Sequence, residues 1–116
     1  MKTLNKIKGD KAEAQAVNFL KKLKYKILET NYKNKLGEID IIAQKGKTIC
    51  FVEVKQRQTA AYGLPCEAVD RRKQLKIART GQLFLLQNHL TNAEVCFCVV
   101  EILDESINLI ENAFEI

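Results

Sequence analysis

Acidic and basic side chains alternate with apolar ones in two neighbouring segments, Gly37–Asp40 and Phe51–Arg57. A period of two residues is typical of a β-strand, and Gly46-Lys47 between the segments predicts a two-residue hairpin turn. With these residues at the turn centre, Asp40 lies opposite Glu53, and Glu38 lies opposite Lys55. One face of this hairpin is then polar, and its members are Glu38, Asp40, Glu53, Lys55 and Arg57. The other face is apolar and belongs to the core, with Ile39, Ile41, Ala43, Cys50, Val52 and Val54.

Two carboxylates that face each other across paired strands repel, so the fold requires a compensating positive charge. Lys55 and Arg57 could supply it as an ion-pair network. A divalent cation could equally supply it, because Mg²⁺ (or Mn²⁺) is held by one or two carboxylates with water and phosphate as further ligands. The pattern alone leaves both alternatives open.

Glu13 is a third carboxylate of interest. It lies within the apolar stripe of a predicted N-terminal helix, where an unpaired carboxylate is costly. Such a side chain either reaches toward Asp40 and Glu53 or turns to solvent beside a lysine.

The elements around these residues follow from hydrophobic periodicity. Residues 5–23 predict a helix whose apolar positions include Ala12, Ala16, Val17, Leu20 and Leu23. Strands are predicted at 25–32, 95–103 and 107–110, with a loop at 58–66. Asp70 predicts the N-cap of a second helix that ends near Leu86. The resulting order, α-β-β-β-α-β-β, predicts a single α/β domain over residues 1–116, with a mixed β-sheet flanked by helices.

Charge is unevenly distributed along the 116 residues, whose formal net charge is +5. Residues 1–93 hold nineteen basic and eight acidic side chains, a net +11, whereas residues 94–116 hold six acidic and no basic side chains. A basic body favours a polyanion such as DNA, although a solvated lysine-rich surface gives the same composition. The basic cluster of the second helix consists of Arg71, Arg72, Lys73, Lys76 and Arg79. No apolar run reaches the length of a membrane span, so we expect no membrane partner and a cytoplasmic location.

The four cysteines do not follow the paired spacing of zinc fingers or ribbons, since the one close pair is Cys96-Phe97-Cys98. Side chains two positions apart on a strand share a face. We therefore expect reduced, buried cysteines that act as small hydrophobic residues. His89, the one histidine, is expected to be structural or exposed.

The two hairpin segments resemble the core of PD-(D/E)xK nucleases, which have a restriction-endonuclease-like fold. The whole chain resembles the YraN-like family, a group related to Holliday-junction resolvases. The shared motifs are Gly9-x-x-x-Glu13-x-x-Ala16, Gly37-Glu38-Ile39-Asp40, Phe51-Val52-Glu53-Val54-Lys55-x-Arg57, Tyr62-Gly63-x-Pro65-x-Glu67-Ala68-Val69, Lys73 and Asn112-Ala113-Phe114. Cys96-Phe97-Cys98 departs from the Arg-Phe-Asp that relatives tend to carry.

The resemblance implies that Asp40, Glu53 and Glu13 hold Mg²⁺ or Mn²⁺, and that Lys55 acts on the attacking water or on the phosphate. Arg57, Arg71, Arg72, Lys73 and Lys76 would bind the nucleic acid backbone. The expected function is then metal-dependent endonucleolytic cleavage of DNA, at branched or damaged structures. The alternatives are a nucleic-acid-binding protein that does not cleave, and a protein-interaction domain whose acidic C-terminal region docks a basic partner. Related resolvases act as dimers, so a homodimer is a further expectation from the resemblance.

Overall fold

The computed structural model describes residues 2–57, 69–103 and 106–115, and of residues 2–10 and Arg57 it describes the backbone alone. Two helices and five strands follow in the predicted order: α1 (Lys2–Lys22), β1 (Lys26–Asn34), β2 (Gly37–Lys45), β3 (Thr48–Arg57), α2 (Arg71–Gln87), β4 (Glu94–Leu103) and β5 (Ser106–Ile110). The loop predicted at 58–66 lies outside the described residues. None of the described helices is long and apolar enough to cross a membrane.

The strands form one five-stranded sheet in the order β1-β2-β3-β4-β5. The pair β3–β4 is parallel, and the other three pairs are antiparallel. A parallel pair needs a long crossover connection, and α2 lies in that connection. The prediction of an α/β fold with a mixed sheet flanked by helices is confirmed.

Each face of the sheet is covered by one helix. Helix α1 packs Ala12, Ala16 and Leu20 on one face, against β-strand residues such as Ile41 and Val52. Helix α2 packs Ile77 and Phe84 on the opposite face, against Ile42, Ile49, Phe51 and Val99. The sequence predicted Leu23 as the last apolar residue on the buried face of the first helix, and this prediction is wrong. Leu23 follows the helix end and is 37% exposed.

The hairpin register is confirmed over the turn-proximal half, where the pairs run from Ile41–Val52 to Lys45–Thr48. Gly46 has a φ of +61°, the left-handed conformation expected of a glycine that begins a tight hairpin turn. The predicted face of Ile39 is wrong. Ile39 packs under α2, whereas Ile41 packs under α1, so the alternation of faces breaks at the residue between them, Asp40.

Asn31 of β1 lies across from this break. It has a φ of +50°, and the β1–β2 pairs on either side of it, Thr30–Ile41 and Tyr32–Ile39, keep one register. The register shift of this strand pair lies farther along β1, between Ile27 and Glu29. Asp40 is therefore placed where the alternation of faces in β2 breaks while the register is kept.

Helix α2 approaches the sheet closely at two glycines. A Cβ at Gly81 would lie 2.7 Å from ring carbons of Phe51, and a Cβ at Gly37 would lie 2.7 Å from Thr80 Oγ1. Asp70 caps the helix as predicted, because its carboxylate accepts a hydrogen bond of 2.8 Å from the backbone N–H of Lys73. The glycine contacts seat the middle of α2 against the start of β2 and against Phe51 of β3, and the Asp70 cap fixes where the helix begins.

Candidate active site

Asp40 lies where the β2–β3 hydrogen-bond ladder stops. Its Oδ2 accepts a hydrogen bond of 2.8 Å from the backbone N–H of Val54. The carboxylate thus supplies the acceptor that a backbone carbonyl supplies in a continuous ladder. Since Ile39 and Ile41 occupy opposite faces, the Asp40 side chain lies alongside β3.

Glu53 is the buried carboxylate of the site, with 6% of its surface exposed. It forms ion pairs with two lysines. Lys73 of α2 contacts Glu53 Oε1 directly, and Lys55 Nζ lies 3.8 Å from the same oxygen. A buried carboxylate is stable only with such partners, so β3 and α2 together create the charged centre.

The electrostatics of Asp40 reflect this crowding. Burial, followed by the negative charge of Glu53, raises the pKa of Asp40 from 3.8 to about 6. The Val54 N–H and the charge of Lys73 oppose this rise. The site therefore holds two negative charges at neutral pH only against a considerable free-energy cost.

The two lysines differ in their affinity for a proton. Burial and the adjacent Lys73 lower the pKa of Lys55. Burial also acts to lower the pKa of Lys73, but its hydrogen bond and charge interaction with Glu53 outweigh burial and raise that pKa. Lys73 is therefore the firmly protonated cation, and Lys55 releases its proton more readily.

A cleft of about 650 Å³ opens beside this centre, between the β1–β2 turn and the start of α2. Five basic side chains line it, together with two acidic ones, Glu38 and Asp70. The basic side chains are Lys33, Lys35, Arg72, Lys73 and Lys76. We call this surface the basic cleft, and Lys73 belongs both to it and to the acidic centre.

The predicted nucleic-acid-binding residues do not all line the basic cleft. Arg72, Lys73 and Lys76 line the basic cleft. Arg71 Nη1 instead donates a hydrogen bond of 2.9 Å to the Glu115 carbonyl, so it ties α2 to the C-terminal segment. The Arg57 side chain lies outside the described part of the chain.

Two further acidic residues were predicted for this site, Glu38 and Glu13. Glu38 is exposed and forms its ion pair with Lys33, at 3.7 Å, where the sequence predicted Lys55 as its neighbour. Glu13 is partly buried on α1, next to Ala12 of the core. Among the described residues, the group of three adjacent metal-ligand side chains consists of Cys50, Cys96 and Cys98, and not of Glu13, Asp40 and Glu53.

The contact of Lys73 with Glu53 was missed by the sequence prediction, which assigned Lys73 to the nucleic acid surface alone. The available signal was the capping pattern. Asp70 fixes the helix start, which places Lys73 in the first turn of α2. The capping pattern does not indicate that the first turn of α2 lies over β3, next to Glu53.

Known proteins resemble this chain over nearly its full length. The profile of "Uncharacterised protein family UPF0102" matches residues 12–102. A UPF0102 protein of Clostridioides difficile is 46% identical over 112 residues, which cover 95% of this chain and 98% of the relative. One of Clostridium acetobutylicum is 47% identical, with all of both chains covered, and one of Persephonella marina is 40% identical, with 95% of each covered. The predicted YraN-like resemblance is thereby confirmed, and the chain belongs to the family UPF0102.

Proposed function

We propose that this protein is a metal-dependent endonuclease that hydrolyses phosphodiester bonds of DNA. The observation that carries the proposal is the charged centre of Asp40, Glu53, Lys55 and Lys73, in which Lys73 both pairs with Glu53 and lines the basic cleft. Carboxylates, lysines and a cationic groove are the groups that phosphodiester hydrolysis uses.

The donor set fits a hard divalent cation. Asp40 and Glu53 offer carboxylate oxygens, the ligands that Mg²⁺ and Mn²⁺ prefer, and both carboxylates are at least partly withdrawn from water. The raised pKa of Asp40 supports the same assignment, because a cation at this position would relieve the repulsion from Glu53. When bound, Mg²⁺ would activate a water molecule and offset negative charge on the phosphate.

The two lysines take different parts in the proposal. Lys73 forms an ion pair with Glu53 and links it to the basic cleft that Lys73 lines. Lys55, with its lowered pKa, is the side chain suited to exchange a proton with water or to donate one near the scissile phosphate. Glu13 remains a predicted additional acidic residue of this site.

The basic cleft supplies the binding surface. Lys35, Arg72 and Lys76 reach solvent there and would contact phosphates on both sides of the reacting bond. Such contacts release counterions and give affinity that depends on salt and little on base sequence. Duplex or branched DNA fits this surface better than single strands, because the few aromatic residues form no stacking platform in the sequence.

Cleavage of supercoiled and four-way-junction DNA in Mg²⁺ or Mn²⁺ tests the proposal. We expect Asp40→Asn and Glu53→Gln to abolish cleavage while the fold, measured by circular dichroism, is kept. Glu29→Gln is the matched control, since Glu29 is an exposed carboxylate on β1. Cleavage that is equal in all four proteins would exclude these carboxylates from the reaction.

A second candidate function has its own supporting observation. Glu53 already has two lysine partners, so an ion-pair network balances the site without a metal ion. A protein of this kind would bind DNA through the basic cleft and would not cleave it. Calorimetry separates the two functions: salt-sensitive DNA binding with no heat of Mg²⁺ or Mn²⁺ binding would favour the non-catalytic protein.

A further inference from the structure

Three cysteine thiols converge in the core beneath α1. Cys50 lies on β3, and Cys96 and Cys98 lie on β4. Their sulfur atoms all lie within 4.8 Å of one another, and Cys96 Sγ lies 3.2 Å from Cys98 Sγ. We call Cys50, Cys96 and Cys98 the cysteine cluster.

The convergence follows from the sheet. In the parallel β3–β4 ladder, Cys50 is the direct partner of Cys96. Cys98 is two residues farther along β4 and therefore points to the same face. Two strands that are distant in sequence thus place three soft ligands on one side of the sheet, against α1.

The cluster is separate from the acidic centre. Cys50 and Glu53 are three residues apart on β3, or about 10 Å along an extended strand, and they face opposite sides of the sheet. The cysteines adjoin the end of the sheet at the β2–β3 turn, whereas Lys55 lies toward the other end. A role for the cluster is therefore independent of the nuclease proposal.

From this geometry we infer that Cys50, Cys96 and Cys98 form a binding site for a thiophilic d¹⁰ metal ion, Zn²⁺ or Cu⁺. A Zn–S bond is about 2.3 Å long, which sets the sulfurs of a tetrahedral thiolate site roughly 3.8 Å apart. The Cys96–Cys98 separation of 3.2 Å is shorter than this value and no pair of sulfurs is more than 4.8 Å apart, so small side-chain rotations bring three sulfurs into ligating position. Cu⁺ is also satisfied by thiolate ligands, and it needs no fourth ligand when three sulfurs surround it.

A polar pocket gives access to the cluster. It has a volume of about 460 Å³, and its lining includes Cys50, Cys96, Lys45, Glu111 and Asn112. The Cys96 thiol donates a hydrogen bond of 3.2 Å to Asn112 Oδ1. Glu111, which accepts a hydrogen bond from the Tyr25 hydroxyl, offers a carboxylate at the same opening. An ion can therefore enter from solvent, and Zn²⁺ can find an oxygen ligand at the open side.

Metal binding at the cysteine cluster is coupled to the loss of the thiol protons, because the thiolate is the ligand form. Binding by three thiolates releases three protons to solvent, and the ion offsets two of the resulting negative charges as Zn²⁺ or one as Cu⁺.

Titration of the reduced full-length protein with Co²⁺, and then with Zn²⁺ as a competitor, tests the inference. A Cys66→Ser background restricts the thiols to the cysteine cluster. We expect the thiolate-to-cobalt charge-transfer band to saturate at one Co²⁺ per chain, and Zn²⁺ to abolish the band in equal amount. Cu⁺ competition against a chromophoric chelator then shows which of the two ions is held more tightly.

Cys96→Ser is the informative variant, because Cys96 is the partly exposed member and its replacement leaves the buried pair in place. We expect it to lower affinity for Zn²⁺ or Cu⁺ at least tenfold. Asp40→Asn should leave the affinity unchanged, which separates this site from the acidic centre. Absence of the charge-transfer band, equal affinity in Cys96→Ser, or a disulfide that forms in air in place of metal binding would overturn the inference.

Discussion

Two interactions act on Asp40 in opposite directions at the end of the β2–β3 ladder. Its Oδ2 must stay in place to accept the Val54 N–H, while Glu53 repels its charge. Without a cation between them, the ionised carboxylate is disfavoured, and its pKa rises to about 6. A residue that is costly when charged, beside a buried Glu53 and a basic cleft, is typical of a site that binds a ligand.

We predict that Asp40→Asn stabilises the metal-free protein at neutral and higher pH. The folded pKa is about 6 and the reference value is 3.8, so ionisation lowers stability progressively as pH rises through about 6. The amide removes the charge and keeps an acceptor for Val54. The expected gain is roughly 1–3 kcal/mol near pH 8, and it disappears below about pH 4.

Urea unfolding in the presence of a chelator measures this difference at both pH values. Glu29→Gln is again the control, and its exposed position predicts a change of less than about 0.5 kcal/mol. A variant that is equally destabilised at all pH values would show that Asp40 is needed for its hydrogen bond alone.

Lys73 is the partner of Glu53 from α2, and its loss leaves the buried carboxylate with Lys55 as its ion-pair partner among the described side chains. We predict that Lys73→Gln lowers the free energy of unfolding by about 1–2 kcal/mol, a value reduced because the Lys73 side chain is 44% exposed. Mg²⁺ should restore more stability to this variant than to the natural protein, because a bound cation replaces the lost ammonium group.

The matched control is Lys33→Gln, since Lys33 forms its ion pair with the exposed Glu38. Its expected change is within about 0.5 kcal/mol. Thermal unfolding with and without Mg²⁺ compares the three proteins. Equal Mg²⁺ effects in all of them would count against a metal site at Glu53.

At the scale of elements, local chemistry predicted the parts of the fold that depend on neighbours in sequence. The Gly46-Lys47 turn fixed the β2–β3 register, and Asp70 marked the start of α2. Apolar patterning identified the strands, because β3 alternates apolar and charged residues from Val52 to Lys55 and β4 is a nearly continuous apolar run. The prediction failed at Leu23, where the periodic pattern continues beyond the end of α1.

Features that depend on packing between distant elements could not be read from the sequence. The adjacency of β3 and β4 places Cys50 beside Cys96, and no local signal specifies that pair. The packing of α2 on the sheet brings Lys73 to Glu53, and the break of alternation at Asp40 places Ile39 on the face opposite Ile41. Each is a long-range consequence of the strand order and of helix packing.

The close approach of α2 to the sheet gives a prediction for Gly81. A methyl group there would lie 2.7 Å from the Phe51 ring, within the core that α2 forms with the sheet. Gly81→Ala gains about 1 kcal/mol of helix propensity but overpacks the core. We expect a net loss of roughly 1–2 kcal/mol by chemical denaturation.

Gln82→Ala is the control on the same helix, because Gln82 is exposed. It should change stability by no more than about 0.5 kcal/mol. A Gly81→Ala protein as stable as the natural one would mean that α2 can move away from Phe51 at little cost.

The whole molecule has two chemically different ends along β3. The acidic centre and the basic cleft lie toward one end, and the cysteine cluster adjoins the other. The net charge of +5 conceals this arrangement, since five basic side chains line the cleft whereas Glu94 and Glu111 line the pocket beside the cysteine cluster. We therefore expect a polyanion to prefer the surface of the basic cleft.

The basic side chains of the cleft predict how DNA binding depends on salt. Removing one cleft cation, as in Lys76→Gln, should reduce the slope of log affinity against log salt by about 1, because one fewer counterion is released. Lys47→Gln, at the exposed β2–β3 turn, should leave the slope unchanged. Fluorescence anisotropy with duplex DNA at several salt concentrations measures both. Equal slopes in the two variants would place the DNA elsewhere on the surface.

The central claim is that Asp40 and Glu53 together bind a divalent cation. A crystal of the protein soaked in Mn²⁺, with anomalous diffraction recorded, tests it most directly. We predict an anomalous peak within ligand distance of both carboxylates, and no peak at that position in Glu53→Gln. A natural protein that retains its Lys55 and Lys73 ion pairs with no Mn²⁺ between Asp40 and Glu53 would contradict the claim.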